Sequence, residues 1–249
     1  MNALEGKIAL VTGGSRSLGL SIAQTLVEQG AHVIITARNQ SALTDAAKIL
    51  GEKCLPLQMD IRNPASVKEG FAMVEKTFGR LDILVNNAAV GCIHRIDEAS
   101  DADLHAQVET NLLGVIYAIR EAVPLMRRAG GGDIISISSE SVRLPFPMLS
   151  VYAATKAAIE CLATGLRDEL RPDKIRIATL RCGNIAENSG FGDNWSDEVK
   201  AAAFALWSST GHLAFAGQPV PQGLVAQALA NMLCLAPSGG ADLVEIRGR

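Results

Sequence analysis

The chain has 249 residues, 48% hydrophobic and 20% charged, with a formal net charge of −3. This balance predicts a soluble globular protein with ample material for a core. With no run of like charges, it argues against nucleic acid or an acidic membrane as a partner. The stretch from Met1 to Lys7 has no apolar core of signal-peptide length and no apolar run is long enough to span a bilayer, so a cytoplasmic protein is expected.

Lys7-Ile-Ala-Leu-Val-Thr12 is an apolar run of buried-strand type that leads into Gly13-Gly-Ser-Arg-Ser-Leu-Gly19. A helical pattern follows through Leu20, Ile22, Ala23, Leu26 and Val27 and stops at Gly30. His32 to Thr36 is a second strand. Strand, glycine-rich turn, helix and strand within about thirty residues form the unit expected of a dinucleotide-binding fold. The alternation continues with a helix from Ser41 to Leu50 and a strand from Cys54 to Met59 ending at Asp60. A helix from Pro64 to Phe78 and a strand from Leu81 to Asn86 come next. A long helix is expected from Asp101 to Arg128, with Asn111 inside it and Gly130 stopping it. Asp133 to Ser138 is a fifth strand, Ser150 to Leu170 a helix and Lys174 to Leu180 a sixth strand. Pro221 starts a late helix, and Ala241 to Ile246 is a final strand. Such regular alternation predicts one α/β domain over residues 1–249, a doubly wound parallel sheet with helices on both faces. Gly183 to Gln218 breaks the pattern. It carries Phe191, Trp195, Phe204 and Trp207, and is expected to cover a substrate, with a helix from Ser196 to Trp207.

The chemistry is concentrated between Ser139 and Lys156. Tyr152 and Lys156 are four residues apart among alanines that favour helix, which puts both side chains on one face, a turn apart. Free tyrosine has a pKa of about 10, and a fixed cation nearby favours the phenolate. A charge at about 4 Å in a partly dry pocket is of the right magnitude to lower that value by several units. Cys54, Cys92, Cys161, Cys182 and Cys234 form no CxxC and are read as reduced thiols. His32, His94, His105 and His212 lack metal-ligand spacing, so no metal site is expected.

Thr12-Gly13 with Gly19, Asp60, Asn86-Asn87-Ala88, Asn111, Ser139, Tyr152-x-x-x-Lys156 and Gly183 occur in one order over nearly the whole chain. In this the chain resembles the classical short-chain dehydrogenases/reductases, which have a single Rossmann-like domain. The resemblance implies that Thr12, Gly13, Ser15, Arg16, Leu18 and Gly19 form the phosphate turn, at a helix N-terminus suited to a pyrophosphate. It implies Asp60 and Ile61 at the adenine, Asn86 or Asn87 with Ala88 along the ribose, and Gly183 and Ile185 at the cofactor beyond the sixth strand. Ser139 is expected to hold a substrate carbonyl and Tyr152 to exchange its proton. Lys156 is expected to hold the nicotinamide ribose and acidify Tyr152, and Asn111 to kink its helix and position a water.

Where relatives that prefer NAD carry an acid at the end of the second strand, this chain has Ala37 followed by Arg38, and Arg16 sits inside the glycine turn. Two guanidiniums and no carboxylate suit a 2′-phosphate, so the expected cofactor is NADP(H). The expected activity is reduction of a small carbonyl or oxidation of a secondary alcohol, in a homodimer or homotetramer paired through the long helices. One alternative is a reductase of carrier-bound 3-ketoacyl groups, with Arg127, Arg128, Arg143 and Arg167 facing the carrier. Another is a cofactor-binding protein without turnover. Ser17 at the middle glycine position, Ala89, Cys182 and Glu187 depart from the family pattern.

Overall fold

Five apolar or β-branched residues, all buried, make the first strand, β1 (Ile8–Thr12), and the chain turns from it at Gly13. The structure is a computed structural model that describes residues 3–186, 191–192, 195–235 and 240–248; Glu187 and Arg249 lie outside these. After β1 come α1 (Ser17–Glu28), β2 (His32–Ala37), α2 (Gln40–Leu50), β3 (Cys54–Gln58), α3 (Pro64–Phe78) and β4 (Ile83–Asn86). The second half contains α4 (Asp101–Val108), α5 (Gly114–Ala129), β5 (Gly132–Ser139), α6 (Ser150–Leu170) and β6 (Ile175–Cys182). It ends with α7 (Asp197–Ser209), α8 (His212–Ala216), α9 (Gln222–Leu233) and β7 (Leu243–Ile246).

The seven strands form one parallel sheet in the order β3-β2-β1-β4-β5-β6-β7. Successive side chains of a strand face opposite sides, and the core divides accordingly. Ala9, Val11, Val33 and Ile35 pack with α1, α2 and α9 on one face. Ile8, Leu10, Ile34 and Leu84 pack with α3, α5 and α6 on the other. Burying one such leucine or isoleucine contributes about 1.5–3 kcal/mol. Pro56 lies in β3, at the sheet edge, where a missing N–H is tolerated.

Helix ends follow local chemistry. Asn39, Asn63, Ser100 and Ser196 each accept a backbone N–H at the start of α2, α3, α4 and α7, and Gly79 and Gly130 end α3 and α5 in the left-handed region. The single helix expected from Asp101 to Arg128 is interrupted by a π turn at Glu109–Leu113, between α4 and α5. Among the described residues no helix is long and apolar enough to cross a membrane.

Beyond β1 the chain passes to one face of the sheet, and beyond β4 to the other. The two connections diverge and open a crevice at the carboxyl ends of the strands, the place where ligands bind in open α/β sheets. A third cluster, with Ile93, Phe146, Leu149, Ala203, Trp207 and Ala216, is separate from the two cores on the faces of the sheet.

Candidate active site

At the crevice, Thr12 ties the two central strands together. Its Oγ1 accepts the N–H groups of Asn87 and Ala88 at 3.0 and 3.1 Å. Asn87 Nδ2 donates back to the carbonyls of Thr12 and Gly13, at 3.0 and 3.3 Å. Backbones approach closely here. A Cβ on Gly19 would lie 2.2 Å from the Gly13 carbonyl oxygen, so this position requires glycine. Ser17 adopts φ 51°, the left-handed conformation that a glycine would take without penalty; a residue with a Cβ pays about 1–2 kcal/mol for it. No side chain caps α1, and no acidic residue lies in its first turn. Its positive end is left suited to an anion.

The sequence placed Asn86 or Asn87 beside the cofactor, and the structure separates them. Asn86 is buried in the sheet, its amide donating to Ser136 Oγ at 3.3 Å, while Asn87 lines the crevice. Arg38 follows the end of β2 on the crevice wall. Asp60 faces the same space but is held by Arg62, whose Nε and Nη2 donate to the carboxylate at 3.1 and 2.7 Å. That guanidinium keeps the Asp60 carboxyl below the ordinary carboxylate range. Sequence reasoning missed Arg62, although it stands only two residues from Asp60.

Ser139 ends β5, and Tyr152 and Lys156 lie one turn apart on α6, all three on the wall of the same cavity. Lys156 is buried; its Nζ donates to the Ile137 carbonyl at 2.8 Å and lies 5.6 Å from the centre of the Tyr152 ring. Burial pushes the Tyr152 hydroxyl above the ordinary tyrosine value, with the neighbouring Ser139 hydroxyl pulling the other way. Burial also lowers Lys156 to about 8. This direction is opposite to the one expected from a lysine that makes the phenol more acidic: desolvation is the largest cause at both groups. Cys182 is buried beside them and its thiol is pushed up to about 12 by burial, consistent with a structural thiol.

Asn111 sits at the centre of the π turn. Its Oδ1 accepts the Val90 N–H at 2.8 Å, and its Nδ2 donates to the Val90 carbonyl at 2.8 Å and to Thr155 Oγ1 at 3.1 Å. The amide is fully engaged and does not line the cavity; it joins the segment after β4 to α6.

Every other residue expected at the cofactor or the catalytic centre lines one cavity of about 1150 Å³. These include Ser15, Arg16, Leu18, Ile61, Ala88, Gly183 and Ile185. Two features were not foreseen. Glu140, next to Ser139, is buried and pairs with Arg247 at 3.2 Å, 107 residues away. Phe191 packs against the Tyr152 ring at 4.9 Å between centroids. The four arginines considered for a carrier surface pair instead within the chain, Arg127 with Asp173, Arg128 with Glu75, Arg143 with Glu245 and Arg167 with Asp242. None of them lines the cavity.

Fold and crevice together define a doubly wound α/β protein with a dinucleotide-sized site at its topological switch point. The family model for short chain dehydrogenases matches residues 7–198. An oxidoreductase of Sarocladium schorii is 34% identical over 228 residues, covering 92% of this chain and 90% of that protein. An oxidoreductase of Staphylococcus saprophyticus is 33% identical, covering 83% and 93%. Among solved structures, a short-chain dehydrogenase from Streptomyces avermitilis has a TM-score of 0.85 at 29% identity, covering 98% of this chain and 89% of that one. An L-sorbose reductase from Gluconobacter frateurii, complexed with NADPH and L-sorbose, has a TM-score of 0.85 at 26% identity, covering 100% and 98%. The chain belongs to the short-chain dehydrogenase family of oxidoreductases.

Proposed function

We propose that this protein is an NADP(H)-dependent oxidoreductase acting on a small carbonyl compound or secondary alcohol, with Tyr152 as the general acid and base. The observation that carries the reading is one continuous cavity. It has the glycine turn and Arg38 at one end and Ser139, Tyr152 and Lys156 at the other. The residues fit a dinucleotide: an uncapped helix N-terminus for the pyrophosphate, glycines where backbones crowd, and arginine instead of carboxylate after β2. Two solved relatives of this fold, the L-sorbose reductase and a metagenomic short-chain oxidoreductase, were captured with NADPH and NADP respectively. Nicotinamide bound there supplies or accepts the hydride.

The chain's own groups do the rest. Thr12, Gly13, Ser15, Leu18 and Gly19 hold the pyrophosphate, Arg16 and Arg38 the 2′-phosphate, and Asp60 and Ile61 the adenine. Asn87 and Ala88 flank the ribose, Lys156 holds the nicotinamide ribose, and Gly183 and Ile185 close the far end. Ser139 orients the carbonyl oxygen. Tyr152, held protonated at neutral pH, is the proton donor when charge develops on that oxygen, and its phenolate takes the proton back in the oxidative direction. Asn111 shapes the π turn and supports a water relay through backbone rather than through its amide. The described residues of the stretch 183–218, among them Phe191, Trp195 and Trp207, cover the substrate. Five unpaired cysteines suit a reducing compartment, the cytoplasm.

Cofactor choice is tested by the ratio of kcat/KM values for NADPH and NADH. We expect NADPH to be favoured by about tenfold or more, and Arg38→Asp to remove most of that preference by loss of a charge-assisted contact worth about 1.5–3 kcal/mol. Equal or better efficiency with NADH in the unaltered protein contradicts the assignment.

A further inference from the structure

Past Tyr152 the cavity is walled by aromatic rings. Phe191 packs on Tyr152, and Trp195 meets Phe191 nearly edge-on at 5.1 Å. Trp207 meets Phe146 edge-on at 5.4 Å and lies 5.1 Å from Phe204. Both indole N–H groups are already engaged by backbone: Trp195 Nε1 donates to the Gly91 carbonyl and Trp207 Nε1 to the Pro147 carbonyl, each at 2.7 Å. These side chains therefore offer carbon surface and no free donor.

Charge is distributed just as unevenly. Arg16, Arg38, Asp60 and Arg62 line the opposite end of the cavity. At the catalytic centre Lys156 donates to the Ile137 carbonyl, and Glu140 pairs with Arg247. Among the described residues no charged side chain lines the aromatic end. Among the described residues, a substrate charged with either sign would find no counter-charge at that end to offset its lost hydration.

We propose that the site takes a neutral, ring-bearing ketone or the matching secondary alcohol, its ring against the aromatic walls and its oxygen at Ser139 and Tyr152. This assignment rests on the oxidoreductase reading. In the reductive direction the carbonyl carbon gains a hydride from reduced nicotinamide, which is thereby oxidised. The π pair moves to oxygen, and that oxygen takes the Tyr152 proton, which solvent restores.

The chain's two tryptophans both line this end, so intrinsic fluorescence reports binding without turnover. Three probes, acetophenone, 4-acetylbenzoate and 4-(trimethylammonio)acetophenone, are titrated into the protein and then assayed with NADPH. We expect saturable quenching by acetophenone at concentrations about 30-fold below either charged probe, and a kcat/KM advantage of about 100-fold. Phe204→Arg, at an exposed position on the wall, should narrow the gap to 4-acetylbenzoate by about tenfold. Binding of either charged probe as tightly as acetophenone overturns the substrate class. Selective quenching by acetophenone without turnover of any carbonyl supports the class and counts against the oxidoreductase reading.

Discussion

A lysine ammonium buried on α6, bonded to one backbone carbonyl, is an expensive group to keep in a folded protein, and its titration makes that cost measurable. Its folded-state value of about 8 lies below the ordinary 10.5. Between these limits the unfolded chain holds the proton and the folded chain releases it, so stability rises with pH across that window. Below about 8 the whole cost is carried. Measured relative to Lys156→Met, without added cofactor, the unfolding free energy in urea should increase by about 2 kcal/mol between about pH 7 and 9.5. A constant difference would show that the ammonium is not desolvated. At this scale much was legible in the sequence. Tyr152 and Lys156 were readable from their spacing and Ser17 from its place in the glycine turn. The direction of the Tyr152 shift was not, because it depends on burial by residues far away in the chain.

At the scale of elements, the turn between β1 and α1 does two jobs with one geometry: it brings the helix end to the crevice and presses against the loop after β4. Gly19→Ala places a Cβ against the Gly13 carbonyl and the Asn87 amide. Fluorescence titration should show NADPH affinity reduced by about 100-fold or more, with about 1–3 kcal/mol lost in urea unfolding from overpacking. Affinity within about threefold of the parent contradicts this account of the turn. Strands and helices were readable because Gly30, Pro64 and Gly130 punctuate clear apolar runs. The π turn was not readable, since the helical pattern runs unbroken through Glu109–Leu113. What accompanies it is a tertiary contact, the Asn111 amide on the Val90 peptide and Thr155. The Glu140–Arg247 pair left no local signal either, because its partners meet only once β5 and the end of the chain are brought together.

For the whole molecule, the outer face of α6 exposes Ala154, Ala157, Cys161, Thr164 and Gly165, a stripe of small residues that lets another helix approach closely. Assembly through this face and α4–α5 predicts a solution mass of two or four times 26.2 kDa by light scattering, reduced to the monomer by Cys161→Arg. A parent protein that runs as a monomer at micromolar concentration would contradict that assembly. The α/β class and the parallel sheet were legible from alternation alone. The aromatic end of the cavity was legible only as a collection of residues in an irregular stretch, because its shape comes from α7, α8 and the Phe146 loop converging over the sheet.

The proton at Tyr152 is the point on which the account turns, and replacing the hydroxyl while keeping the ring isolates it. Tyr152→Phe should lower kcat for ketone reduction by about a thousandfold or more while NADPH binds within about threefold of the parent. Turnover at the parent rate with that hydroxyl gone would contradict the assignment of Tyr152 as the acid and base.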